Sequence, residues 1–145
     1  MLQKIPPTSY CEYIRDLPID NIHRIYHDTA YGVVIDSDDE LFERLVLEIN
    51  QAGLSWNTIL GKQQNFKKAF HHFNIKKVAK YGEVDRQRLL ADAGIIRNRL
   101  KVDAAIHNAG VILTLQKEHG SCKIWLDMHK GKSKEEWVKL FKKTF

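Results

Sequence analysis

Residues 45–56, LVLEINQAGLSW, limit what this chain can fold into more than any other stretch. They close one helical pattern, turn at Gly53 and open a second pattern at Ser55-Trp56. Upstream, Ser37-Asp38-Asp39-Glu40 reads as a capping box, with Ser37 as N-cap and Glu40 at the third helical position. From there Leu41, Leu45, Ile49 and Ala52 recur at intervals of four or three, joined by Phe42 and Val46, as on the buried stripe of a helix. Glu48 falls at the margin of that stripe, a few residues before the large aromatic Trp56. Removing a carboxylate from water is costly unless it is paired or used. The pattern therefore leaves three readings for Glu48: a structural ion pair, a solvated helix edge, or the lip of a pocket.

The 145 residues fit one domain, 1–145, with a single core. No apolar run approaches the roughly 20 residues that a membrane helix needs, so no membrane contact is expected. The N-terminus, MLQKIPPTSYCEYIRD, lacks a continuous apolar segment and a small-residue cleavage site. Two cysteines, Cys11 and Cys122, make no disulfide framework, and a cytoplasmic location is the simpler assignment. The net charge of +5 is uneven: residues 121–145 carry seven lysines. Such an excess is compatible with a polyanionic partner, although a solvated, lysine-rich helix face explains it more simply.

Residues 1–20 hold all three prolines and read as an irregular N-terminal arm. In residues 25–32, IYHDTAYG, Gly32 followed by Val33-Val34-Ile35 suggests a turn and a short extended piece. Helices are predicted over about 38–52, from Ser55 onward through Phe70, over 75–81 behind an Asn74 cap, and over 84–93 up to Gly94. A long helix follows from about Asn98 to His119, with Leu100, Ala104, Val111 and Leu115 inward and Gly120 as its stop. Ser121 and Ser133 are N-cap candidates for the last two segments. Ser133-Lys134-Glu135-Glu136 repeats the capping-box pattern, and Trp137, Leu140 and Phe141 supply an apolar edge behind it. No alternating strand pattern occurs. The fold class is all-α.

Residues 89–102, LLADAGIIRNRLKV, join two helical patterns through a very short turn at Gly94. Joints of this kind commonly use glycine to reach a positive φ, and the following helix start exposes N–H groups that can receive a phosphate. A helix-hairpin-helix element grips the DNA backbone in this way without reading sequence. Gly94 alone is more simply a plain structural turn; the cluster Arg97, Arg99 and Lys101 brings the DNA reading level with it.

Three pieces occur in order at compatible spacings: Tyr26-His27-Asp28 followed by Gly32, QAGLSW at 51–56, and DAGIIR at 92–97 with Lys101. Over roughly residues 26–117 the chain thereby resembles the DNA-3-methyladenine glycosylase I family. The resemblance implies a helix-hairpin-helix glycosylase fold. It also implies DNA base excision repair: 3-methyladenine is flipped from double-stranded alkylated DNA and its N-glycosidic bond hydrolysed, with no lyase step. By motif match, Tyr26, Tyr31 and Trp56 are the aromatic walls of the base pocket. Glu48 would bind the adenine edge and act as the catalytic carboxylate. Gly94, Ile95, Arg97 and Lys101 would contact the DNA backbone. Tyr31 departs from the family, which usually has tryptophan there, and a smaller ring offers less stacking overlap. The superfamily's catalytic aspartate has no equivalent, since Asp103 is too close to the hairpin and Asp127 too far.

Members of the family also carry a structural zinc, whereas the chemistry needs no cofactor. Cys11 and His27 match the first half of that zinc site, and the second half has no match here. Two ligands do not close a tetrahedral site, so no tightly held zinc is expected. Lys139-Leu140-Phe141 resembles the family's penultimate segment, so the sequence is either a naturally shortened member or a fragment of a longer chain, with lower stability expected than for a full-length relative. A monomer is expected. The competing functional reading is a DNA-binding module without catalysis, left by that shortening.

Overall fold

Short polar residues begin nearly all the helices of this chain. Ser9, Asn21, Ser37, Ser55, Asn74, Asn98, Ser121 and Ser133 each accept a hydrogen bond from an N–H in the first turn that follows. Each such cap is worth about 1 kcal/mol. The computed structural model describes residues 7–145, and the described residues form α-helices with no strand. In order these are α1 (Tyr10–Arg15), α2 (Ile22–Thr29), α3 (Asp38–Gln51), α4 (Trp56–Ala69), α5 (Ile75–Val78), α6 (Glu83–Ala91), α7 (Arg99–His119), α8 (Cys122–Asp127) and α9 (Lys134–Thr144). A single tight turn, His71–Phe73, links α4 to α5.

The core lies between α3, α4 and α7. Phe42 and Val46 of α3, Ile59 and Phe66 of α4, and Val102, Ala105, Ala109 and Ile112 of α7 are all at most 2% exposed. Phe70, Phe73, Ile75 and Val78 complete it beside the α4–α5 joint. Gly120, at φ +91°, ends α7 as expected, its N–H donating to the Gln116 carbonyl at 2.9 Å. The first two acids of α3 tie the helices together. The Asp38 carboxylate accepts from Gln116 Nε2 at 2.7 Å, the Cys122 amide at 2.9 Å and the Lys123 amide at 3.0 Å. Asp39 accepts from the Ile75 amide at 3.1 Å. Helix α3 is thus anchored at its N-terminus to α5, α7 and α8.

Several expectations are corrected. The arm predicted over 1–20 contains helix α1, capped by Ser9; its first six residues lie outside the described region. Residues 25–29, read as the approach to a turn, belong to α2, and the turn begins only after them. Leu100, predicted inward, is 80% exposed, because it sits in the first turn of α7 before the helix enters the core. On α3 the fully buried positions are Phe42, Val46, Leu47 and Asn50. Leu41, Leu45 and Ile49 are half-buried and Ala52 is exposed, so the helix is turned by about one residue from the predicted stripe. Of the two capping boxes, Ser133–Glu136 closes in both directions, whereas Ser37 supplies only its own half.

Candidate active site

The α3–α4 joint is held by groups from far along the chain. Gly53 takes φ +79°, and the Leu54 amide closes the turn onto the Gln51 carbonyl at 2.7 Å. Lys101 Nζ reaches across from α7 to the carbonyls of Asn50 at 2.8 Å and Ala52 at 2.7 Å, where the free end of α3 concentrates negative partial charge. Ser55 then caps α4, accepting from the Thr58 amide at 3.1 Å. Trp56 therefore stands at the first residue of α4, on a rigid support.

Against Trp56 stands Tyr26 of α2, the ring centroids 5.4 Å apart and nearly perpendicular. Tyr31, just past α2, lies 6.4 Å from Tyr26 and is 47% exposed. The three rings matched to the pocket are therefore contiguous. They form one wall with Tyr10 of α1, whose centroid is 5.2 Å from Tyr31 and 6.4 Å from Tyr26. Sequence reading missed Tyr10 because it lay in the stretch taken as irregular. Its signal was Ser9 followed three residues later by Glu12, the start of a capped helix.

Glu48 is exposed on α3 at the rim of an apolar groove of ≈300 Å³ formed with Leu41, Leu45, Ile112, Leu126 and Phe141. Among the described residues it makes no hydrogen bond or ion pair, which removes the ion-pair reading and leaves the solvated helix edge and the pocket lip. It is close enough to Tyr26 to act on it. Burial raises the Tyr26 phenol above its ordinary pKa, the Arg44 guanidinium opposes this, and the negative charge of Glu48 raises it further. Arg44, one turn before Glu48, donates to Tyr26 Oη, and its guanidinium carbon lies 4.9 Å from the ring centroid. Nothing in the local pattern singled out Arg44, which reads as a surface position between Glu43 and Leu45.

The α6–α7 joint differs from its predicted geometry. Gly94 does not take a positive φ. It is glycine because a Cβ there would lie 2.9 Å from Asp92 Oδ1 and 3.1 Å from Asn65 Cγ. Its N–H donates to Asp92 Oδ1 at 2.7 Å, and its carbonyl accepts from Asn65 Nδ2 at 3.2 Å and Lys62 Nζ at 3.4 Å. Ile95 is 3% exposed, its side chain packed in the core. Lys101 is engaged on the α3 carbonyls. Of the four residues expected on the DNA backbone, Arg97 is the exposed cation that makes no ion pair among the described residues.

His27 Nε2 faces Cys11 Sγ at 3.3 Å, and its Nδ1 is held by Asp28 at 2.9 Å. This bond holds the Asp28 carboxyl below its usual range. The pair is arranged as two ligands of one ion would be. Among the described residues, however, no group of three or more His, Cys, Asp or Glu side chains could hold a metal, so they do not fit a closed tetrahedral site.

An all-helical scaffold that gathers tyrosine and tryptophan rings, one of them within reach of a carboxylate's charge, suits recognition of a flat, cationic ring. The chain belongs to the methyladenine glycosylase family, which it matches over residues 17–143. It is 45% identical over 98 residues to DNA-3-methyladenine glycosylase 1 of Escherichia coli (strain K12), covering 68% of this chain and 52% of that protein. To the DNA-3-methyladenine glycosylase of Haemophilus influenzae (strain ATCC 51907 / DSM 11121 / KW20 / Rd) it is 37% identical over 120 residues, 81% of this chain and 63% of that protein. Among solved structures, 3-methyladenine DNA glycosylase I from Staphylococcus aureus superposes with a TM-score of 0.73 at 34% identity, over 78% of this chain and 61% of that one. The chain thus spans between half and two thirds of the length of these relatives. No helix among the described residues is long and apolar enough to cross a membrane.

Proposed function

We propose that this chain recognises and excises 3-methyladenine from double-stranded alkylated DNA, acting as a cytoplasmic, monomeric, monofunctional base-excision repair glycosylase. The observation that carries this reading is the meeting of Tyr26, Tyr31 and Trp56, with Glu48, unpaired among the described residues, close enough to Tyr26 to act on its phenol. A 3-methylated adenine still joined to its sugar is cationic, so electron-rich ring faces attract it, by about 0.5–2 kcal/mol per contact. Flipping the base costs roughly a few kcal/mol, less for a damaged one.

In the reaction the C1′–N9 bond breaks and its electron pair leaves on the base, whose positive charge is thereby cancelled. Water adds to C1′ and loses a proton to solvent. Glu48 binds the adenine edge and stabilises positive charge developing on the sugar. Arg97 meets the phosphate backbone. The Cys11–His27 pair has no step in this scheme.

The test is release of 3-methyladenine from methylated duplex DNA by the wild-type chain beside Glu48→Gln. Release by the first, with a drop of about a hundredfold or more in the second, is expected. Unchanged release by Glu48→Gln at saturating DNA removes Glu48 from catalysis. The exposed, uncommitted Arg97 also suits a module that binds DNA without chemistry. Salt-sensitive binding to duplex DNA with no base released would select that alternative.

A further inference from the structure

Arg44 has carboxylates one helical turn away on either side, Glu40 and Glu48, and Glu43 next to it. An arginine so placed ordinarily pairs with an acid. Here Glu43 is taken by Lys67 at 3.4 Å and by Gln63 Nε2 at 2.8 Å, while Arg44 makes no ion pair among the described residues. Its guanidinium is directed to a neutral phenol on another helix, Tyr26 Oη. Arg44 also borders both the apolar groove that carries Glu48 and a second cavity of ≈320 Å³ behind Tyr26. The choice of a phenol over three nearby acids requires a reason.

The chemistry of the two groups supplies one. A guanidinium offers five N–H donors and no acceptor, whereas a phenol oxygen carries one proton and accepts through its lone pairs. While Arg44 donates to Tyr26 Oη, the phenol proton cannot be directed at Arg44. We infer that Arg44 is a positioning residue for the base cleft: it fixes the Tyr26 ring and obliges the phenol proton to turn away from Arg44. The same contact keeps Arg44 off Glu48, which leaves that carboxylate for the cationic base. This rests on the proposed reading of the cleft.

The test uses the full 145-residue chain as wild type, Arg44→Met, Arg44→Lys, Tyr26→Phe and the Arg44→Met/Tyr26→Phe double variant. Tryptophan fluorescence follows binding of free 3-methyladenine, and base release from methylated DNA is measured in parallel. Arg44→Met and Tyr26→Phe each weaken binding by about five- to tenfold, the worth of one hydrogen bond. The double variant is no weaker than Tyr26→Phe alone, because Arg44 acts through the phenol it has lost. Arg44→Lys, again a pure donor, restores binding to within about twofold of wild type. Losses that multiply in the double variant, or no rescue by lysine, overturn the inference.

A third readout needs no ligand. In chain labelled with ¹³C-tyrosine, the Tyr26 ring-carbon signal, assigned by its loss in Tyr26→Phe, moves in Arg44→Met and stays in Arg44→Lys. A chain that binds the base but releases none from DNA sinks the excision reading and leaves the binding cycle to judge Arg44. If the chain binds no base either, a Tyr26 signal unmoved in Arg44→Met overturns the inference.

Discussion

Two aromatic clusters stand in this molecule at nearly the same ring spacing, and they are built for opposite ends. In the core, Phe66–Phe70 and Phe70–Phe73 stack at 6.1 and 5.8 Å, and Phe42 meets Phe73 edge-on at 6.1 Å. All four rings are at most 1% exposed. In the cleft, Tyr26–Trp56 and Tyr26–Tyr31 lie at 5.4 and 6.4 Å, yet Tyr31 is 47% exposed and each ring carries a polar atom. Phenylalanine has nothing to satisfy and can be sealed in. Tyrosine and tryptophan keep an O–H or N–H that needs a partner, which suits a wall wet on one side. Ring contact alone therefore does not distinguish core from pocket; the polar handle and the exposure do.

The contrast breaks first on truncation. Phe73→Ala removes a fully buried ring with two aromatic neighbours and should cost about 3–5 kcal/mol in urea unfolding. Tyr31→Ala, at an exposed position, should change stability by no more than about 0.5 kcal/mol. It should nevertheless weaken base binding by roughly fivefold to a hundredfold, since stacking of a base on an aromatic is worth about 1–3 kcal/mol. Tyr31→Trp sharpens the comparison from the other side: a larger face should tighten binding and leave the unfolding midpoint in place. Equal stability losses in Phe73→Ala and Tyr31→Ala would show that the cleft rings are core after all.

Next in size is the joint between α6 and α7. Gly94→Ala forces a methyl to 2.9 Å from Asp92 Oδ1, the same oxygen that receives the Gly94 N–H. Either the side chain swings away and the amide loses its acceptor, or the turn opens against Asn65. The expected cost is about 1–3 kcal/mol. DNA affinity measured well below the unfolding transition should change little. A loss of affinity without a loss of stability would return the Gly94 backbone to phosphate binding.

The helix ends were legible because they depend on single polar residues acting over three positions. Ser37, Ser55, Asn74, Asn98, Ser121, Ser133 and Gly120 all fall where the pattern put them. The facing of α3 was not legible. Leu41, Leu45 and Ile49 are as apolar as Phe42 and Val46, and only the placement of α4 and α7 decides which row is sealed and which lines a groove. Leu100 misled for a related reason, since helical period says nothing about where a helix enters the core. The partners that Lys101 takes in the fold, the carbonyls of Asn50 and Ala52, lie far back in the chain, where no local pattern marks them. The rings of the cleft were found through a motif match, whereas Tyr10 and Arg44 became visible only once α1, α2 and α3 were brought together.

The smallest expected effect concerns how the core reaches Phe73 at all. His71, His72 and Phe73 take φ of 50°, 54° and 56°, three consecutive side chains in the left-handed region. Such a residue costs roughly 1–2 kcal/mol, so this turn persists only because its product, a sealed Phe73 and a started α5, returns more. His72 is exposed and contributes nothing to the seal. His72→Gly should therefore relieve strain and raise stability by up to about 1 kcal/mol, the gain offset in part by a more disordered unfolded chain. The urea midpoint moves up while base release stays unchanged. A midpoint that falls instead would mean that the His72 side chain supports the turn, and that the sealed cluster, like the open one, relies on a polar residue at its edge.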